Sequence, residues 1–138
     1  MEDGVIGTLT TGLPVLLAHF AVTLALLGVG VACYTAITPF HEQGLVRSGN
    51  TAAGIVLGGN FVALAIPLAA TLATSLVTLD VVIWGTVALV IQLVAFAAAT
   101  ALIRGLRDMI EGGNVAAAWA LVGIQLALAL LNAGAMAG

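Results

Sequence analysis

Four long stretches of this chain, residues 13–37, 51–76, 81–103 and 115–136, contain no Asp, Glu, Lys or Arg. Each holds about 22 to 26 residues, which at ~1.5 Å rise per residue makes about 33 to 39 Å of helix. A helix of that length crosses a hydrocarbon core of ~30 Å with modest tilt. In hydrocarbon an isolated apolar segment can satisfy its backbone amides and carbonyls only by coiling into a helix. The expected fold is therefore all-α: an integral membrane four-helix bundle forming a single transmembrane domain over residues 1–138.

Composition leaves no soluble alternative. The chain is 62% hydrophobic and 7% charged, against about 25% charged residues in an ordinary globular domain, and its mean hydropathy is +1.25. The lipid bilayer is thus the first partner expected. The only basic residues besides histidine are Arg47, Arg104 and Arg107, and the net charge is −3. Nucleic acid is excluded as a partner, because binding it takes several side chains that neutralise phosphates. Cys33 is the single cysteine, so no intramolecular disulfide can form. The acidic start, Met1-Glu2-Asp3, is unlike a secretory signal, and the first helix is expected to be retained.

The ends of the apolar runs carry the expected punctuation. Pro39 biases the residue before it away from helical geometry and should stop the first helix. Asn50 and Asn114, each after a glycine, are placed as N-caps of the second and fourth helices. Trp84 and Trp119 fall about one turn inside the third and fourth helices, where an indole bridges hydrocarbon and headgroup. Asp80 is expected in the short link between the second and third helices, and Pro67 should kink the second.

The second half echoes the first. Gly49-Asn50-Thr51-Ala52-Ala53 aligns with Gly113-Asn114-Val115-Ala116-Ala117 at an offset of 64 residues. The expected unit is a helix, a polar turn and a second helix, with one copy at roughly 13–76 and the other at roughly 81–138. Two crossings per unit bring both copies into the membrane the same way up, as parallel tandem hairpins around a pseudo-two-fold axis along the membrane normal. All three arginines lie in the turns 38–50 and 104–114. The positive-inside rule then makes both turns cytoplasmic and puts both termini on the periplasmic side.

Thr38-Pro39-Phe40-His41-Glu42, the Gly-Asn-x-Ala-Ala signature in both halves, Gly58-Gly59, and the closing Leu131-Asn132-Ala133-Gly134-Ala135-Met136 together resemble the YjfL type of small bacterial inner-membrane protein. The resemblance covers essentially the whole chain. It implies the bacterial inner membrane as location, and it implies a context shared with membrane-stress coat proteins and ATP-grasp ligases. It implies no activity. The Pro-Phe-His-Glu turn has no counterpart in the second half, where Arg104-Gly105-Leu106-Arg107 takes its place.

Few residues could carry chemistry. Asn60, Gln92 and Gln125 each lie ~15 to 18 Å from a helix start, close to the bilayer midplane. Either they form interhelical glue or they line a polar permeation layer. His19 could titrate or bind a cofactor, but no second histidine accompanies it, and a hydrogen bond to a neighbouring helix, with Asn132 at similar depth as one candidate partner, is the plainer expectation. His41, Glu42 and Arg47 form the densest polar cluster, expected as a structural turn in which Glu42 and Arg47 pair with each other or with Asp108 and Glu111. Gly54-x-x-x-Gly58 and Gly59-x-x-x-Ala63, with Ala97, Ala101 and Gly105, are expected to let helices approach closely.

The functional expectation is a non-enzymatic structural or assembly module without cofactor or metal. It acts in a homo-oligomer or a membrane-stress-related complex and offers its cytoplasmic face to a membrane-associated protein. The alternative is a small channel or transporter running past Asn60, Gln92 and Gln125. A membrane enzyme or electron carrier using His19 is a third possibility.

Overall fold

A computed structural model describes residues 2–138, so Met1 of the acidic start lies outside the described residues. Six helices follow in order: α1 (Glu2–Ile37), α2 (Glu42–Arg47), α3 (Thr51–Thr74), α4 (Thr78–Leu102), α5 (Leu106–Glu111) and α6 (Val115–Ala137). Four of them, α1, α3, α4 and α6, are long and apolar enough to cross a membrane. The short α2 and α5 fill the two polar turns.

Three boundaries differ from the sequence-based expectation. First, α1 begins at Glu2 rather than near residue 13, and its 36 residues make ~54 Å of helix, well beyond a ~30 Å core. The early Gly and Thr residues do not break it, and the hydroxyls of Thr8 and Thr11 bond back to the carbonyls of Gly4 and Gly7 at 2.8 Å. Pro14 is carried inside the helix as well. Second, Asp80 stands in the first turn of α4 and not in the link, where its carboxylate complements the positive end of the helix dipole. Third, each polar turn holds a six-residue helix.

The two turns close in the same way. Gly49 (φ 85°) and Gly113 (φ 81°) reverse the chain in the left-handed region that favours glycine. Asn50 and Asn114 then cap α3 and α6 as expected, each side chain accepting from the backbone N–H three residues on, Ala53 and Ala117, at 3.0 Å. Asn50 also donates its Nδ2 to the carbonyl of Ile110 at 2.8 Å, which ties the start of α3 to the end of α5.

Packing is densest between α3 and α6. There Gly59 meets Val122 so closely that a Cβ on residue 59 would fall 2.5 Å from the valine methyl. Gly30 and Gly85 make similar approaches to Leu89 and Leu26. The remaining small-residue expectations fail within the chain. Gly54 and Gly58 face open space, Ala97 and Ala101 are exposed, and Gly105 has left α4 to sit at the left-handed N-cap of α5. Successive glycines and alanines occupy different faces of a helix, and of those singled out in the sequence only Gly59 and Ala63 lie on the inward one. Pro67 is buried inside α3, which continues past it to Thr74.

Two apolar clusters make the core. One, around Phe40, Ala53, Val56, Leu106, Ile110 and Leu121, sits at the end carrying α2 and α5. The other, around Tyr34, Leu64, Leu68, Leu89 and Phe96, lies deeper along the bundle. Large side chains such as Phe20, Val94, Leu130 and Leu131 point outward, as a surface solvated by lipid requires. Trp84 and Trp119 are likewise exposed, near opposite ends of the bundle.

Candidate functional site: a buried polar column

The interior polar residues form two linked groups. At the midplane, Gln92 of α4 is fully buried and donates its Nε2 to the backbone carbonyl of Gln125 at 3.2 Å, with the Gln125 side-chain oxygen at 3.5 Å. Asn132 donates to the carbonyl of Ala88 at 2.9 Å and reaches Gln92 Oε1 at 3.4 Å. Gln125 and Asn132 are seven residues apart, two turns of one helix, so they share the face of α6 that looks at α4. Two of the three predicted midplane amides thus meet, and Asn132 joins them.

Asn60, the third, belongs to the other group. It is buried beside the Tyr34 hydroxyl near the α2 end of the bundle. Tyr34 donates its hydroxyl hydrogen to the Glu42 carboxylate, and its ring packs edge-on against Phe96 with centroids 4.4 Å apart. Glu42 is 2% exposed. Burial pushes its carboxyl up from the ordinary 4.5 to about 7, against the lowering effect of the Tyr34 hydrogen bond. The cluster joins α1, α2, α3 and α4 around one carboxyl group.

The expected ion pairing of the turn does not occur. Glu42 turns inward to Tyr34, while Arg107 takes Glu111 at 2.9 Å as an exposed i, i+4 pair. No other ion pair forms among the described residues, so Arg47 pairs with neither Glu42, Asp108 nor Glu111. His41 and Arg47 are exposed, and with Thr35, Phe40 and Gln43 they line an open groove over Glu42. The energetic reason is position: the first residue of α2 faces the core, and a buried carboxyl bonds the nearest donor, the Tyr34 hydroxyl.

His19 is buried, with its Nε2 unpartnered, in a groove between α1 and the end of α3 lined by Leu16, Phe20, Leu72 and Ser75. The proposed bond to Asn132 is absent, because Asn132 spends its amide hydrogens on Ala88 and Gln92. Other buried polar atoms also lack protein partners, namely Glu42 Oε2, Asn60 Nδ2, Gln125 Nε2 and Asn132 Oδ1. Among the described residues no three His, Cys, Asp or Glu side chains converge where they could hold a metal ion.

Sequence reasoning missed Tyr34 as a site residue. Its signal was weak but present: the one tyrosine in the chain, eight residues before Glu42, where a phenol at a helix end needs a partner if it is buried.

A lipid-facing exterior around an interior of bonded amides defines the class, a small polytopic helical membrane protein. The chain matches, over residues 8–136, the family model described as Domain of Unknown Function (DUF350). It is 32% identical over 119 residues to the UPF0719 inner membrane protein YjfL of Escherichia coli (strain K12), an alignment covering 86% of this chain and 90% of that protein. The protein of the same name from Escherichia coli O157:H7 matches equally. No solved structure matches. The chain therefore belongs to the DUF350 family, as a multi-pass inner-membrane protein.

Proposed function

We propose that this protein is a non-enzymatic, non-conducting membrane assembly module that works as a homo-oligomer. One observation carries the proposal: Gln92 directs its amide hydrogens to Gln125, and Asn132 directs its own to Gln92 and to the backbone carbonyl of Ala88, with Gln92 at 0% and Gln125 at 2% exposure. Amides so engaged act as interhelical glue, worth about 0.6 to 2 kcal/mol per bond. Their mutual bonding weighs against the channel alternative, which needs them turned to water.

The surface supports the oligomer. Residues 2–18 of α1 are exposed along their whole length, and Gly54 and Gly58 open a smooth face on α3. Each is suited to close approach by a second copy. In this proposal the chain is a tandem duplication with both termini periplasmic and both short helices cytoplasmic. The matching asparagine caps of the two turns and their arginines support that arrangement. The cytoplasmic groove at His41 and Arg47 is then the face for a membrane-associated protein.

Crosslinking tests the module. In a Cys33→Ala background, a cysteine at Gly58 should give disulfide-linked dimers in native membranes under mild oxidation, and a purely monomeric pattern from position 58 and from residues 9 and 16 would contradict the oligomer. Proteoliposomes should show no ion flux above protein-free vesicles. Flux abolished by Asn60→Ala would establish the channel instead.

A further inference from the structure

We propose that the cavity at the end of the bundle opposite α2 and α5 binds an organic ammonium group, the headgroup amine of an ethanolamine lipid being the form a bilayer supplies. The cavity has a volume of about 370 Å³ and lies where the ends of α3, α4 and α6 meet, walled by Thr71, Thr74, Ser75, Asp80, Trp84 and Met136.

Its walls are chemically one-sided. The hydroxyls of Thr71, Thr74 and Ser75 each donate their hydrogen to a carbonyl of their own helix, those of Leu68, Ala70 and Thr71. Only their oxygen lone pairs remain for a guest. Asp80 adds a carboxylate that no side chain engages among the described residues. Trp84 is 54% exposed and adds an aromatic face, which attracts cations through its ring quadrupole.

Every arginine is at the other end of the bundle, in or beside α2 and α5, so no arginine of the chain can neutralise Asp80. An alkylammonium supplies the missing charge and three N–H donors to a pocket built of acceptors. Favourable contact with a helix N-terminus would explain Asp80 alone. It does not explain the hydroxyls and the indole gathered around it. The pocket lies at the ends of membrane-spanning helices, the level at which headgroup amines reside.

The test uses Trp84 as reporter. In a Trp119→Phe protein Trp84 is the only indole. Reconstituted in nanodiscs of phosphatidylglycerol with rising phosphatidylethanolamine, its emission should change saturably, and the change should fall at least fivefold when Asp80→Asn is added. Asp80→Glu, which keeps the carboxylate, should preserve the response and shows that a loss in Asp80→Asn is not misfolding. Ethanolamine titrated onto detergent-solubilised protein separates the sources: a response here as well means that any alkylamine is bound, and a response to the lipid alone means that the headgroup is selected. Emission indifferent to both probes, or an undiminished response in Asp80→Asn, would overturn the site.

Discussion

Glu42 shows how one residue's place overrides its type. From the sequence it stands in a polar turn beside His41 and close to Arg47, where a surface ion pair is the natural expectation. In the fold it is the first residue of α2, pressed against Tyr34, and burial moves its carboxyl to about 7. The sign of the consequence follows from that direction. A carboxyl whose folded value lies above its ordinary 4.5 contributes stability that is fully present below that value and is lost as pH rises through about 7. Thermal melts in detergent should therefore show the wild type less stable at pH 8 than at pH 5, and Glu42→Gln should flatten that dependence. A wild-type profile with no fall across that interval would refute the burial of Glu42. Tyr34→Phe removes the bond that holds the carboxyl down, so the fall should continue to still higher pH.

At the scale of helices, glycine spacing in the sequence identifies candidates for close contact but not which face they occupy. Gly54, Gly58 and Gly59 read alike in the sequence, yet only Gly59 meets another helix, at Val122. Gly59→Leu should destabilise the bundle by about 1 to 3 kcal/mol through overpacking, while Gly58→Leu should leave monomer stability nearly unchanged and weaken the proposed oligomer. Unfolding titrations of the two variants against wild type distinguish these outcomes. The caps were legible because a Gly-Asn pair before an apolar run names its own geometry. Asn50→Ala loses both the α3 cap and the bond to Ile110, and should cost about 1 kcal/mol or more, seen as a lower midpoint in the same titration. The start of α1 was not legible, because glycine and threonine are weak helix formers in water and residues 4–12 are rich in both.

For the whole molecule, four spans and their order could be read directly from charge-free runs, since lipid permits so few other structures. Which polar residues touch was not legible, because rotation of a helix about its axis is fixed by packing that no single run encodes. Hence Asn60 fell to Tyr34 and Asn132 to Gln92, rather than Asn60 to the amides and Asn132 to His19. Gln92→Leu severs the contacts to both Gln125 and Asn132, and should cost roughly 0.6 to 2 kcal/mol in unfolding while leaving vesicles as impermeable as before. The closed interior is tested most directly by hydrogen exchange at the side-chain amide of Gln92, followed by solid-state NMR in lipid bilayers transferred to heavy water. A sealed, mutually bonded layer predicts that the Gln92 amide signal survives for hours. Its disappearance at the rate of exposed amides would mean that water reaches this layer, and would contradict the sealed interior.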